Sequence, residues 1–190
     1  ALTAAFCWTL TSVFFFFGGK AIGSMNLSRI RLVLAVLFLM ISHFFILGEA
    51  FPYQVSTDRF LWLSASGIIG LAFGDSCLFK ALLIIGPRLS TLMMASVPIF
   101  SSIIAWLFLN ETLSGMEIFA IAITIGGIAW VILERSASAG SLSKKQYILG
   151  LLLGLGGAAG QAIGLIAAKK GLSDGFSPLS GTLIRLTVAM

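Results

Sequence analysis

The sequence contains few charged residues. Asp, Glu, Lys and Arg make up 10% of the 190 residues, whereas ordinary soluble domains carry roughly 25%. Hydrophobic residues account for 58% of the chain, and the mean hydropathy is +1.07. A soluble core cannot hide this much apolar surface, so the composition excludes an ordinary globular domain. It indicates a multi-span protein whose first partner is the lipid bilayer.

Cysteine, histidine and clustered basic residues are also scarce. Cys7 and Cys77 lie inside apolar runs without metal-type spacing, which argues against a disulfide framework. The net charge of +5 is spread over the loops and forms no basic face, so nucleic-acid binding is not expected. The single histidine, His43, lies within an apolar run. It is either a hydrogen-bonded packing residue or a proton relay.

Enzyme motifs are absent from the sequence. There is no HExxH, no phosphate-binding GxxxxGK[ST], no paired acids and no Ser/His/Asp set in a recognisable context. The glycine-dense run 150–164 lacks a preceding strand, and its glycines have helical spacing. We therefore expect no enzyme activity, no cofactor and no metal site.

Seven apolar segments follow one another along the chain, and most have the length of a membrane helix, roughly 20 residues. They cover residues 2–17 with an extension to 22, 30–47, 60 to between 80 and 85, 89–109, 113–133, 147–168, and a last one from 178. Gly150/Gly154 and Gly160/Gly164 are small-xxx-small pairs, which predict a tightly packed sixth segment. The sequence predicts an all-α, polytopic membrane helix bundle.

The stretch 74–111 predicts two antiparallel helices joined by a tight charged corner. A proline in a helix interior removes one hydrogen bond, so Pro98 predicts a bend in the second helix. Small or polar side chains form one stripe of that helix: Thr91, Ala95, Pro98, Ser102 and Ala105. Large side chains form the opposite stripe: Leu89, Met93, Val97, Phe100, Ile104 and Leu107. We expect the large stripe to face lipid or the outside of the bundle, and the small stripe to be a packing seam or to border a substrate path.

The first two and the last two segments are alike in layout. RLVLA at Arg31 corresponds to RLTVA at Arg185, an offset of about 154 residues, which suggests an internal repeat. Five helices per repeat is an odd number, so the second copy would insert upside down, as in many transporters. We predict a complete first repeat in 1–135, a linker in 136–146, and the start of a second, truncated repeat in 147–190. We interpret the chain as a fragment.

Several polar residues interrupt or end the apolar runs. Asp75 is either an interfacial acid that pairs with the corner near Lys80 or a carboxylate coupled to substrate or proton movement. Gln161 either hydrogen-bonds across helices or faces a cavity. Glu111 is expected to cap the start of the fifth segment, where an acid is favourable by roughly 0.3–1 kcal/mol.

The ordered set of motifs resembles the EamA-type domain of the drug/metabolite transporter superfamily. The resembling features are AAFCWTLTSVFFFFGGKA with Trp8, the entering Arg31, the GD…FKAL run from Gly74, Pro98, NETLS with Glu111, and a GG pair late in segment five. The resemblance covers nearly the whole chain. It implies ten helices in two inverted five-helix repeats that move small metabolites, such as amino acids or drugs, by alternating access. Segments one and three lack a mid-helix Glu, which argues against simple proton-antiport multidrug efflux.

We therefore predict a secondary transporter or exporter of small organic metabolites, a multi-pass protein of the cell (inner) membrane. The alternative is a non-transporting packing or accessory subunit, and a homodimer stays open. The substrate-path candidates are Trp8, Ser12, Thr91, Pro98, Ser102 and Gln161. Asp75 is the coupling candidate, and Arg31, Gly74 and Glu111 are residues of the family pattern.

Overall fold

The computed structural model describes residues 2–109, 112–136 and 143–190, and these residues form helices and no strand. In chain order the elements are α1 (Leu2–Ile22), α2 (Ser24–Leu47), α3 (Thr57–Ser66), a π-helical stretch (Gly67–Gly74), α4 (Asp75–Met94), α5 (Val97–Leu109), α6 (Gly115–Ser136), α7 (Lys144–Gly171) and α8 (Pro178–Ala189). Glu111 and residues 137–142 of the predicted linker lie outside the described residues.

The predicted all-α membrane architecture is confirmed. Four helical stretches of the described residues are long and apolar enough to cross a bilayer: Ser24–Leu47, Thr57–Met94, Gly115–Glu134 and Lys144–Gly171. Two shorter apolar helices cover Phe6–Ile22 and Val97–Phe108. Many large apolar side chains on α1, α2 and α6 are exposed, as expected for surfaces that face lipid.

Helix α7 packs against the continuous stretch formed by α3, the π-helical stretch and the first part of α4. Along this contact, Gly171 meets Leu63, Gly164 meets Gly70, and Gly150 meets Ile85. Residue numbers rise on one side as they fall on the other, so α7 runs antiparallel to the stretch. Glycine allows this approach because its missing Cβ lets two backbones come together. The tight packing predicted for the sixth segment is therefore present.

The π-helical stretch supplies glycines to contacts with both α7 and α8. A Cβ at Gly67 would overlap the backbone oxygen of Arg185 in α8. A Cβ at Gly74 would lie 3.3 Å from the backbone oxygen of Gly157 in α7. The irregular backbone is thus buried against protein, a setting in which membrane proteins tolerate it.

The predicted corner lies at Gly86, whose φ of 80° and ψ of 168° interrupt helix α4. Ile85 contacts Gly150 before the corner, and Met93 contacts Gly154 after it. After the corner, the residue numbers of α4 rise in the same direction as those of α7, so this part of α4 runs parallel to α7. The chain turns back on itself at Gly86, as the sequence predicts.

Replacing Gly86 with alanine tests this corner. The backbone there occupies a region open essentially to glycine alone, so we expect a loss of stability of about 1–3 kcal/mol. No atom lies within 4 Å of the added Cβ, so the effect would come from the backbone alone. Thermal unfolding of the purified protein in detergent measures the loss. Gly115→Ala, also in open space but without a positive φ, is the control, and equal effects would contradict the expectation.

The segment expected to bend at Pro98 is instead divided into two helices just before this residue. Helix α4 ends at Met94, and Pro98 is the second residue of α5. A short turn separates the two helices, and in it the amides of Ala95 and Ser96 donate to carbonyls three residues back along the chain. A proline is readily accommodated in a first helical turn, because N–H groups have no partner within the helix there.

The expected outward face is wrong for the part of the segment that lies in α4, whereas Leu107 of the large stripe, on α5, is 58% exposed as expected. Leu89 and Met93, from the large stripe, are 2% and 0% exposed, whereas Ala95 and Pro98 are exposed. The physical reason is that α7 contributes the small residues of this contact. Its partner must then fill the space with large side chains, and Met93 lies directly against Gly154. The turn after Met94 also prevents one helical phase from continuing through the segment.

Candidate functional site

A buried carboxylate lies where three helices meet. Asp75 begins α4 directly after the π-helical stretch and is 2% exposed. Its Oδ2 forms an ion pair with Nη2 of Arg31 from α2. Its Oδ1 accepts a hydrogen bond of 2.7 Å from Nε2 of Gln161 in α7. Both oxygens are therefore paired, as burial of a charge in an apolar bundle requires.

The structure does not show the expected pairing of Asp75 with the corner near Lys80. Asp75 precedes the corner residue Gly86 by 11 residues. Lys80 is exposed, and the partners of Asp75 come from other helices. Of the two alternatives for Gln161, the cross-helix hydrogen bond is the one observed.

Arg31 is not at the entrance of its helix, because α2 begins at Ser24, six residues before the predicted start at 30. Its guanidinium carbon lies 5.8 Å from the ring centre of Phe15 and 5.1 Å from that of Phe79. These two rings are themselves stacked, 4.6 Å apart. Aromatic faces attract a cation that has lost part of its hydration. The rings of α1 and α4 thus help to hold Arg31 against Asp75.

A second arginine approaches the same carboxylate from α8. Arg185 lies within Coulombic range of Asp75 without forming a salt bridge with it. Its Nη2 would lie 3.8 Å from a Cβ at Gly70, so it reaches the π-helical stretch. Its Nε is buried and has no hydrogen-bond partner among the described residues. The polar centre therefore combines one carboxylate with two guanidinium groups.

Two spaces adjoin this centre, and they gather several of the predicted path residues. Trp8, Ser12 and Thr91 line a small space of about 20 Å³ together with Arg31. A larger cleft of about 650 Å³ lies between α5, α7 and α8. Its lining comprises Ser101, Ser102, Ala105, Leu165, Ile166, Ala168, Lys169, Leu172 and Arg185.

Pro98 stands apart from these residues. It is exposed at the start of α5 and lines neither space. Gly74, predicted as part of the family pattern, packs against α7 directly before Asp75. The structure thus brings Trp8, Ser12 and Thr91 together beside Arg31, and it places Ser102 in the cleft beside Arg185.

The profile of the EamA-like transporter family matches residues 1–133. The chain belongs to this family. The family is part of the drug/metabolite transporter superfamily, and its members are membrane transporters rather than enzymes. The match ends within α6, so it covers the first five of the seven predicted segments. Neither a curated protein nor a solved structure matches the chain significantly.

His43 connects α2 to α8 at a separate point of this EamA-like bundle. It is 2% exposed. Its Nδ1 lies 2.5 Å from the backbone oxygen of Glu49, and its Nε2 lies 2.8 Å from Oγ of Ser180. A carbonyl oxygen only accepts, so Nδ1 donates, and Nε2 of the neutral ring accepts from the hydroxyl. This arrangement fits the hydrogen-bonded packing residue among the two predicted alternatives.

The pairing of Arg31 with Asp75 and the approach of Arg185 are not predicted from the sequence. One rule could have predicted such a pair: an ionised group inside an apolar run needs a partner of opposite charge. The rule does not point to Arg31, because this residue lies at the edge of its predicted segment, where water could solvate its charge. Within residues 2–109, 112–136 and 143–190, no group of three or more His, Cys, Asp or Glu side chains is placed to bind a metal.

Proposed function

We propose that this EamA-like chain carries out secondary transport of small organic metabolites across the cell (inner) membrane by alternating access. The observation that carries the proposal is the buried Asp75, which Arg31 and Arg185 approach from distant parts of the chain. Three charges are costly to bury together, and ionisable groups in membrane helices mark substrate or ion pathways.

The two arginines also support the inverted-repeat arrangement. Each lies seven residues after the first residue of its helix, Ser24 for Arg31 and Pro178 for Arg185. Their helices are the second elements of the two proposed repeats, 1–135 and 147–190. In transporters built from inverted repeats, the substrate site lies between the repeats, near the middle of the bilayer. A carboxylate between corresponding arginines has the position expected of such a site.

We further propose that Asp75 changes partner during transport. In the conformation described above, the carboxylate pairs with Arg31, and Arg185 forms no salt bridge with another described residue. In the opposite conformation the carboxylate would pair with Arg185 and release Arg31. Two alternative ion pairs of similar energy provide a two-state element, which alternating access requires. Asp75 is the coupling residue in this mechanism.

The two spaces beside the charged groups then form parts of one substrate path. Trp8, Ser12 and Thr91 border the path next to Arg31, and Ser102 borders it next to Arg185. Gln161 joins the path through its hydrogen bond to Asp75. The difference between about 20 Å³ and about 650 Å³ supports an asymmetric state, closed beside Arg31 and open beside Arg185.

Replacing Ser102 with tryptophan tests the path. The indole would occupy much of the cleft, so we expect the initial transport rate to fall by about tenfold or more without loss of folded protein. Proteoliposomes containing the purified protein would be assayed for uptake of labelled amino acids, small carboxylic acids and small neutral organic compounds. Protein level and detergent monodispersity would be measured in parallel.

Ile123→Trp is the matched control, because Ile123 lies on α6, is 59% exposed and does not line the cleft. We expect this variant to transport at the rate of the unchanged protein. Equal transport rates for the two tryptophan variants would show that the cleft is not part of the substrate path. If the unchanged protein moved none of the compounds, the transport proposal would fail, and a non-transporting packing or accessory subunit would replace it.

A further inference from the structure

We infer that the cleft between α5, α7 and α8 binds a small apolar monocarboxylate, and that Arg185 pairs with its carboxylate group. This inference rests on the proposed function, because it assigns a chemical class to the transported substrate. It also predicts an equilibrium binding property that is measured without any transport.

The charges beside the cleft favour an anionic ligand. Arg31, Asp75 and Arg185 together leave one positive charge in excess, and the two oxygens of Asp75 accept from Arg31 and Gln161. None of the described lining residues is acidic. A ligand anion that neutralises the excess charge offsets the cost of its burial.

The hydrogen-bonding state of the cleft also favours an anionic ligand. Nε of Arg185 and Oγ of Ser101 are both buried, and neither has a hydrogen-bond partner within the described parts of the chain. Both residues line the same cleft. Buried polar atoms are nearly always paired, so two unpaired groups beside one cleft point to a ligand that accepts hydrogen bonds. A carboxylate suits both, because a guanidinium donates two parallel N–H bonds to it and a hydroxyl donates one.

The volume of the cleft and its remaining lining favour a small ligand with an apolar part. Ala105, Leu165, Ile166 and Leu172 supply an apolar surface. The volume of about 650 Å³ lies within the range of small-molecule sites, roughly 300–1,000 Å³. The ammonium group of an amino acid would find no acidic partner in the described lining. The cleft therefore favours an aliphatic monocarboxylate over a zwitterion of the same size.

Three matched probes test the inference: 4-methylpentanoate, its neutral amide 4-methylpentanamide, and leucine. The purified protein in phosphatidylcholine nanodiscs would be titrated with each probe at neutral pH by calorimetry. We expect the carboxylate to bind about 10- to 100-fold more tightly than the amide, as expected for one charge-assisted pair. We expect leucine to bind more weakly than the carboxylate. This comparison needs no variant, so it does not depend on how well a variant folds.

Variants then assign the effect to one residue. Arg185→Gln is expected to raise the Kd for 4-methylpentanoate by about 10- to 100-fold and to leave the Kd for the amide unchanged. Arg185→Lys is expected to recover part of the affinity because it keeps the charge. Arg59→Gln is the control, because Arg59 donates to the backbone oxygen of Ser173, at 3.1 Å, and does not line the cleft.

Equal affinity for the carboxylate and the amide would overturn the inference, and so would tighter binding of leucine. An anionic lipid headgroup offers similar chemistry, so the titration would be repeated in nanodiscs containing phosphatidylglycerol. Retained carboxylate affinity there supports the inference, whereas its complete loss assigns the site to lipid and overturns it.

The outcomes also separate this inference from the proposed function. Transport of a neutral compound without any carboxylate binding would refute the inference alone. Carboxylate binding by a protein that transports nothing would refute only the proposed function.

Discussion

Replacing Asp75 with alanine is expected to destabilise the folded protein by about 3–5 kcal/mol, the usual cost of leaving a buried charge without its partner. The variant would leave the guanidinium of Arg31 and the side-chain amide of Gln161 without their acceptor. Equilibrium unfolding in mixed micelles, followed by helicity, measures this loss. We also expect transport to be abolished, because the residue that changes partner is gone.

Asp174→Asn is the control for this prediction. Asp174 also pairs with an arginine, Arg59, at 3.6 Å, but its side chain is 84% exposed. Its φ is 57°, a backbone conformation that asparagine tolerates, so the substitution removes the charge without adding strain. Exposed ion pairs contribute about 0–1 kcal/mol, so the control should unfold close to the unchanged protein. Similar losses for the two variants would show that burial does not distinguish these pairs.

A double variant separates the role of Asp75 in stability from its role in transport. Asp75→Asn combined with Arg31→Gln removes both charges of the pair and leaves no unpaired ion from it. We expect the double variant to be more stable than either Arg31→Gln or Asp75→Ala alone, since loss of one partner is the costly step. Transport should stay abolished. Recovery of transport together with stability would limit Asp75 to a structural role.

Replacing Gly164 with alanine is the second change with a large expected effect. A Cβ at Gly164 would lie 2.6 Å from the Cα of Gly70 and 3.0 Å from its nitrogen. Both are backbone atoms, so the clash is relieved only if α7 and the π-helical stretch move apart. The hydrogen bond from Ser66 to the Gly164 carbonyl, at 2.5 Å, would be disturbed as well. We expect a loss of about 1–3 kcal/mol or more, measured as thermal stability in detergent.

Gly126→Ala on α6 is the control for this substitution. No atom lies within 4 Å of its added Cβ. Alanine is a better helix former than glycine by about 1 kcal/mol, so this variant should be as stable as the unchanged protein or slightly more stable. A stability loss at Gly126 as large as that at Gly164 would argue against the close contact between the two elements.

The hydrophobic segments and the glycine contacts are predictable because they depend on local sequence. Long apolar runs must form helices in lipid, since every backbone group needs an internal partner there. The tight charged corner predicted between two such runs is present, and the structure has it at Gly86. The small-xxx-small spacing of the sixth segment indicates close packing, and α7 shows it.

The wrong expectations concern features that depend on a neighbouring helix. The small residues of the fourth segment do not reveal its buried face, because α7 supplies the glycines and Met93 fills the space beside Gly154. The hydropathy pattern begins the second segment later than α2 begins, so Arg31 resembles an edge residue. The expected pairing of Asp75 with the corner follows from the nearness of Lys80 in sequence, although the partners of Asp75 are far along the chain.

Hydropathy and glycine spacing are properties of each segment by itself. They are enough to predict a membrane bundle of helices with an EamA-like pattern. They do not establish which charges meet. Arg31, Asp75 and Gln161 come from three helices, and Arg31 and Gln161 lie 44 and 86 residues from Asp75 along the chain. The pairing of Gln161 with Asp75 follows from the close approach of α7 to the π-helical stretch, and the pairing of Arg31 with Asp75 requires α2 to pack beside α4. Each approach is a property of two surfaces in contact rather than of either segment alone.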